Sequence, residues 1–273
     1  MDGRVERIHV KATTDVAEVG EEGPVTLALV FVKSYATRRA AHQTRRVLAA
    51  DGLALTLQNG LGNREVLAEI LGEERVVQGV TSHGATVLGP GRVRHAGAGA
   101  TQLAAPLPEL RPRVAGIADL LSDAGIETRL VEDLQALIWG KLIVNVGINP
   151  LTAILRVHNG VLAEDKVCRR LVVKAVEEAV AVARALGIPL PYDDPVAHVF
   201  QVAKATGANR SSMLVDVLRG TPTEIDVING AVVREGTRHG VPTPFNAALV
   251  EVVKALESTA DERIWEPREM YTV

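Results

Sequence analysis

One lysine and two asparagines stand at a spacing that could do chemistry. In the segment LQALIWGKLIVNVGINPLTAI, residues 134–154, Lys141, Asn145 and Asn149 fall at i, i+4 and i+8 and stack on one narrow stripe of a helix. The rest of the segment is apolar nearly all round, the pattern of a buried helix, and the sequence predicts that it stops at Pro150. A solvated polar face is the ordinary explanation of such a stripe. Here Lys141 is the only charge between Asp133 and Arg156, so a buried, functional stripe is the better reading. A lysine drawn out of water has its pKa lowered and becomes a usable general acid.

A second cluster is Ser211-Ser212-Met213-Leu214, followed by Thr221-Pro222-Thr223-Glu224. Two readings of Glu224 stand side by side. Thr221 as N-cap, Pro222 at the first helical position and Glu224 three residues after the cap would make a capping box. Alternatively the carboxylate serves a site. Lys33 and Asn59 each follow an apolar strand, and ligands of open α/β sheets bind at the carboxyl ends of strands, so a cation and an amide there suit phosphate and carbonyl contacts. Other candidates carry less. The seven histidines show no two-ligand helical spacing, so no metal site is expected. Ser82-His83 lacks a G-x-S-x-G elbow. Cys168 sits on an apolar helical stripe, and Gly60-Leu61-Gly62 and Gly97-Ala98-Gly99 both lack the third glycine of the dinucleotide fingerprint.

The elements that must position these residues divide the chain. Residues 25–32 form a continuous apolar run, the mark of a strand covered on both faces, followed by a helix-period segment over 37–50. A strand over 53–57, a helix over 63–71 and a strand over 75–80 come next, an alternation that points to an α/β fold. A hairpin turning at Pro90-Gly91, a helix ending near Gly125 and a strand over 126–131 complete this half. Beyond Asp133 strand signals vanish, and helices are predicted over 164–186, 195–205, 224–239 and 245–256. The division expected is 1–132 and 133–273.

Composition narrows the function classes. With 273 residues, 47% hydrophobic and 23% charged, the chain is an ordinary globular one with room for two domains. Its 3 Phe, 3 Tyr and 2 Trp supply no stacking platform for single-stranded nucleic acid, and a net charge of −3 gives no electrostatic footprint for any nucleic acid. One cysteine excludes an intrachain disulfide framework and fits a reducing compartment. The start of the chain lacks a signal-peptide pattern, and the 25–32 run is too short to cross a bilayer, so a cytoplasmic protein is expected.

The ordered blocks VKSY at Lys33, LTLQNGLGN at Asn59, GVTSHGAT at His83, WGKLIVNVGINPLTAI, HNG at Asn159 and SSMLVDVLRGTPTEIDVING together resemble the ketopantoate reductases (2-dehydropantoate 2-reductases). The resemblance covers nearly the whole chain. It implies a Rossmann-type N-terminal domain, an all-α C-terminal domain and an active site between them. It also implies reduction of 2-dehydropantoate to (R)-pantoate with NADPH, a step of pantothenate and coenzyme A synthesis. Lys141 matches the proton donor, and Asn145, Asn149, Asn159 and Ser212 match substrate-holding positions. Asn59 and Lys33 match the cofactor–substrate junction, Ala85 a backbone contact to the cofactor, and Glu224 a carboxylate reaching both cofactor and active site. Against the family pattern the sequence given is expected to start after the first strand, the G-x-G-x-x-G turn and its helix, about one βαβ unit or on the order of 30 or more residues into the family's fold. The loss of that central strand is expected to leave an apolar strand edge open beside residues 25–32. The competing expectations are a cofactor-deficient, non-catalytic homologue and a reductase of another branched 2-oxo acid. The expected partners are the small substrate and a second copy of the chain in a homodimer, with no nucleic acid and no membrane.

Overall fold

The apolar runs of the first half assemble into a mixed sheet. A computed structural model describes residues 5–262. The first half runs α1 (Val16–Glu21), β1 (Val25–Leu29), α2 (Thr37–Val47), β2 (Leu48–Thr56), α3 (Asn63–Leu71), β3 (Val76–Thr81), β4 (Gly84–Gly89), β5 (Arg92–Gly97), β6 (Thr101–Ala104), α4 (Arg111–Asp123) and β7 (Thr128–Val131). Five strands form one sheet in the order β1-β2-β3-β6-β7, and β4 pairs with β5 in a separate hairpin. β1, β2 and β3 are parallel, β6 runs antiparallel to β3, and β7 is parallel to β6. Alternate residues of β2 serve opposite faces. Ala54 packs with Ala41, Leu67 and Leu71 under α2 and α3, whereas Leu53 and Leu55 pack with Val114 and Ile117 of α4, giving helix–sheet–helix layers.

Local sequence explains most element bounds, and the exceptions have physical causes. The helix expected over 37–50 ends at Val47, because Leu48 turns to extended backbone (φ −69°, ψ 129°) and β2 starts there without a loop. Strand β6 was not expected; it is only four residues long and follows a glycine-rich stretch that masks its pattern. β1 forms one edge of the sheet, with Leu29 and Phe31 half exposed beside it, in line with the open apolar edge expected there.

The second half comprises α5 (Gln135–Leu155), α6 (Asn159–Glu164), α7 (Lys166–Ala185), α8 (Pro195–Ala205), α9 (Ser212–Leu218), α10 (Asn229–Arg238) and α11 (Pro244–Ser258). α5 lies at its centre, its apolar residues packed with those of α7, α8 and α11 in one core. It is long and apolar enough to cross a membrane, but most of it is buried within the chain. The helix does not stop at Pro150 as expected; it continues to Leu155. The proline removes one hydrogen bond, to the Val146 carbonyl, and burial of the surrounding residues outweighs that loss. The helix expected over 164–186 splits at Asp165, whose carboxylate accepts from the Val167 and Cys168 amides, each at 2.8 Å, and caps α7. The helix expected from Glu224 begins instead as a 3₁₀ turn over Ile225–Val227, and α10 starts only at Asn229.

Gly79 of β3 stands where the sheet leaves no room for a side chain. A Cβ there would lie 2.5 Å from both Leu57 Cδ2 and Leu103 Cδ2, and 2.7 Å from the Gln102 carbonyl oxygen of β6. The two leucines can shift, but the backbone oxygen cannot without breaking the ladder. Gly79→Ala is therefore expected to destabilise the chain by about 1–3 kcal/mol, the range for overpacking. A denaturant midpoint equal to that of the unchanged chain would contradict it.

Candidate active site

Lys141 sits six residues into α5, where the helix passes the end of β3. Its Nζ donates to the Thr81 carbonyl oxygen at 2.7 Å. The end of β3 is held in turn by a 2.8 Å hydrogen bond between the Thr81 and Thr101 hydroxyls, which ties it to β6. Ile138, one turn earlier on α5, Leu142, the residue after the lysine, and Leu57 past β2 line the cleft beside the amine, together with Asn59 and Gly79. This cleft is narrow and opens to solvent. Burial among these groups brings the Lys141 pKa from 10.5 down to about 8, while the charge of Glu224 pulls it partly back up.

Glu224 reaches the site from the loop before α10. Its Oε1 accepts from the Ser34 backbone amide at 3.2 Å, and its Oε2 lies 3.5 Å from Lys33 Nζ. The capping-box reading of this residue fails on the geometry. Thr221 donates to the Asp216 carbonyl rather than capping a helix, and it is the Thr223 hydroxyl that accepts from the Ile225 amide. The buried carboxylate is turned toward Lys33 instead.

Lys33 also pairs with Asp216 of α9, Nζ to Oδ2 2.6 Å. Burial alone would lower the Lys33 pKa, but Glu224 and Asp216 outweigh it and the net shift is upward. Burial pushes the Asp216 carboxyl up, and Lys33 reverses only part of that. One cation from the first half thus meets two carboxylates from the second. A further clasp lies alongside, where the Leu61 amide donates to the Val227 carbonyl at 2.9 Å. Gly60 is what permits this approach. Its φ is +81°, and a Cβ would lie 2.4 Å from the Val227 oxygen.

Asn59, Asn145 and Asn149 share one property. Among the described residues, none of their side-chain amides is engaged in a hydrogen bond within the chain, although Asn149 is 6% exposed. The Asn59 backbone carbonyl accepts from Asn63 Nδ2 at 2.9 Å, which fixes the loop and leaves the Asn59 side chain free. On α5 the rise of about 1.5 Å per residue sets Asn145 and Asn149 about 6 and 12 Å along the axis from Lys141. The other expected site residues make none of the ion cluster's contacts. Asn159 opens α6 and donates to the Thr206 hydroxyl at 3.0 Å, while its Oδ1 is buried without a partner. Ser212 is exposed at the start of α9; its neighbour Ser211 is the buried one, bonded to the Thr152 hydroxyl at 2.7 Å. Ala85 is exposed on β4, paired with His95 of β5.

Asp216 is a member of the cluster that sequence reasoning missed. It carries the same signal as Lys141, a lone charge inside the apolar run Met213–Leu218. Gln58 is another: its Nε2 donates to the Val32 carbonyl at 2.6 Å and to the Thr37 hydroxyl at 2.9 Å, binding the loop after β2 to the one after β1.

Glu224→Gln removes the negative charge that holds up the Lys141 pKa. The lysine is then expected to lose its proton at a pH below about 8. NMR titration of the labelled amine, assigned with Lys141→Met, checks this; an unmoved titration would show that the carboxylate does not act on the amine.

Residues 1–107 match the family described as "Ketopantoate reductase PanE/ApbA", and residues 133–257 match "Ketopantoate reductase PanE/ApbA C terminal". Over 254 residues the chain is 39% identical to a 2-dehydropantoate 2-reductase of Halobacterium salinarum, covering 93% of this chain and 82% of that one. It is 37% identical over 236 residues to the enzyme of that name in Archaeoglobus fulgidus, covering 85% and 76% of the two chains. Among solved structures, a PanE/ApbA family ketopantoate reductase from Ralstonia eutropha JMP134 superposes with a TM-score of 0.85 at 32% identity, covering 94% of this chain and 83% of that one. A D-mandelate dehydrogenase solved with NADH and anilino(oxo)acetate is also similar, with a TM-score of 0.81 and 28% identity over 88% of this chain and 78% of that one.

Proposed function

The chain belongs to the ketopantoate reductase family, and on that premise we propose that it reduces the ketone of 2-dehydropantoate to the alcohol of (R)-pantoate, with NADPH as cofactor. The observation that carries this reading is Lys141: a nearly buried amine, its pKa brought to about 8, with two unengaged amides following it on the same helix face. A ketone accepting hydride develops negative charge on oxygen, and a protonated lysine beside it supplies the proton. A reduced nicotinamide, when bound, supplies the hydride.

The residues at the carboxyl ends of β1 and β2 fit the nicotinamide end of such a cofactor. Lys33 offers a cation and Asn59 an amide with no protein partner of its own, at the sheet edge where α/β folds take ligands. We assign to Lys33, Asn59, Ala85 and Glu224 the contacts with cofactor, and to Asn59, Asn145, Asn149, Asn159 and Ser212 those with substrate. Amides and hydroxyls suit the second task, because they orient carboxylate, carbonyl and hydroxyl oxygens without adding a charge that would reset the lysine. Glu224 raises the affinity of Lys141 for its proton, so it aids the return of the amine to its acid form after each transfer. On this reading residues 1–132 form the cofactor-binding domain and 133–273 the helical domain that carries the acid, with Asn59 reaching the substrate from the first and Glu224 the cofactor from the second, in the cytoplasm.

The test is oxidation of NADPH driven by 2-dehydropantoate, run beside NADH and beside other branched and aromatic 2-oxo acids. Lys141→Ala is expected to lower kcat by roughly 10²–10⁴, the range for loss of a general acid. Because the protonated form is the active one, kcat is expected to fall as pH rises through about 8. An undiminished kcat in Lys141→Ala would remove the lysine from this role. Faster turnover of a different 2-oxo acid would reassign the substrate, and failure to bind NADPH in a direct titration would leave the non-catalytic reading standing.

A further inference from the structure

Pro150 lies inside α5, and its ring nitrogen carries no hydrogen. The carbonyl it would have served is that of Val146, so the helix lacks one of the bonds that join the turns bearing Asn145 and Asn149. In the structure that carbonyl is not abandoned. Asn229, the first residue of α10, places Nδ2 3.3 Å from the Val146 oxygen and 2.9 Å from Asn246 Oδ1. Both asparagines are fully buried, at 0% exposure.

Asn246 does not choose its own orientation. Its Nδ2 donates to the Ala175 carbonyl at 3.0 Å and to Glu178 Oε2 at 2.7 Å. The same Glu178 carboxylate accepts the backbone amides of Phe245 at 2.8 Å and Asn246 at 2.9 Å, where α11 begins. Asn246 must therefore present its Oδ1 to Asn229, which must answer with its own amino group. Asn229 Oδ1 is left buried with no partner. An unsatisfied buried acceptor costs stability, so the position keeps an amide for its donor and in spite of its acceptor. Reversing the amide would set oxygen against oxygen at both Val146 and Asn246.

We propose that Asn229 is a positioning residue: by supplying from α10 the hydrogen bond that Pro150 cannot make, it fixes α5 across the interval from Asn145 to Asn149 and so sets the spacing at which those two amides meet a 2-oxo acid. This rests on the reading of Asn145 and Asn149 as substrate contacts.

The experiment is a double-substitution cycle on the full chain, with 2-dehydropantoate and pantoate binding measured by calorimetry. Asn229→Ala is expected to weaken binding of the acid about tenfold, the scale of one buried hydrogen bond, and to leave NADPH affinity and the Lys141 titration where they were. In a Pro150→Ala background the new backbone N–H reaches Val146, and the same Asn229→Ala change is expected to cost less than about twofold. Asn229→Ser replaces Asn229→Ala if the latter does not fold. An equal loss in both backgrounds, or no loss in the first, would overturn the proposal while the unchanged chain still binds the acid. An unchanged chain that binds neither acid overturns the substrate reading and the positioning role with it.

Discussion

Withdrawing one ammonium group from water sets the terms for the rest of this site. Lys141 stands in a helix whose other faces are apolar because they form the core of the second half. An amine cannot be charged there without a nearby acceptor and a nearby negative charge. The Thr81 carbonyl provides the first and Glu224 the second. Neither is local. The carbonyl comes from the end of β3 and the carboxylate from the loop before α10, so β3, α5 and that loop must converge for the lysine to be tolerated at all.

The same requirement extends to the contact between the two halves. Glu224 is itself buried and needs a partner, which it finds in Lys33 and the Ser34 amide at the end of β1. Asp216, also buried, shares Lys33. With Lys141 protonated, the two lysines balance the two carboxylates; with Lys141 neutral, the group is left one negative charge in excess. Proton loss from Lys141 is therefore opposed by the charge of Glu224, and burial favours it. The balance brings the amine to about 8 rather than to a value far lower. Gly60 makes the arrangement possible at the backbone level, since only a residue without a side chain lets the loop after β2 lie against Val227.

How much of this was legible in the sequence follows from the range of each force. The strands other than β6, the hairpin at Pro90-Gly91 and the helices over 63–71 and 195–205 were readable because they rest on periodicity and turn chemistry within a few residues. The lysine–asparagine stripe was readable for the same reason. Three features were not. β6 is short and follows a glycine-rich stretch that masks it. Pro150 was read as a stop because local rules make it one, and the burial that overrides those rules is tertiary. Glu224 satisfied the spacing of a capping box, yet its carboxylate is claimed by a lysine 191 positions away, and that pairing leaves no local trace.

These misses share a direction. An apolar helix advertises that it needs polar partners, because a lone charge or a proline stands out against it, but it says nothing of where they come from. The bond to Lys141 spans 60 residues, the amide that serves Val146 comes from 83 residues on, and the pair Lys33–Asp216 closes over 183. Local sequence therefore states the demand, and topology names the supplier. Asp216 and Asn229 illustrate this from the other side. Each is a single polar residue in an apolar stretch, open to the reading given to Lys141, and each acquires its meaning only once the fold has put its partner within hydrogen-bonding reach.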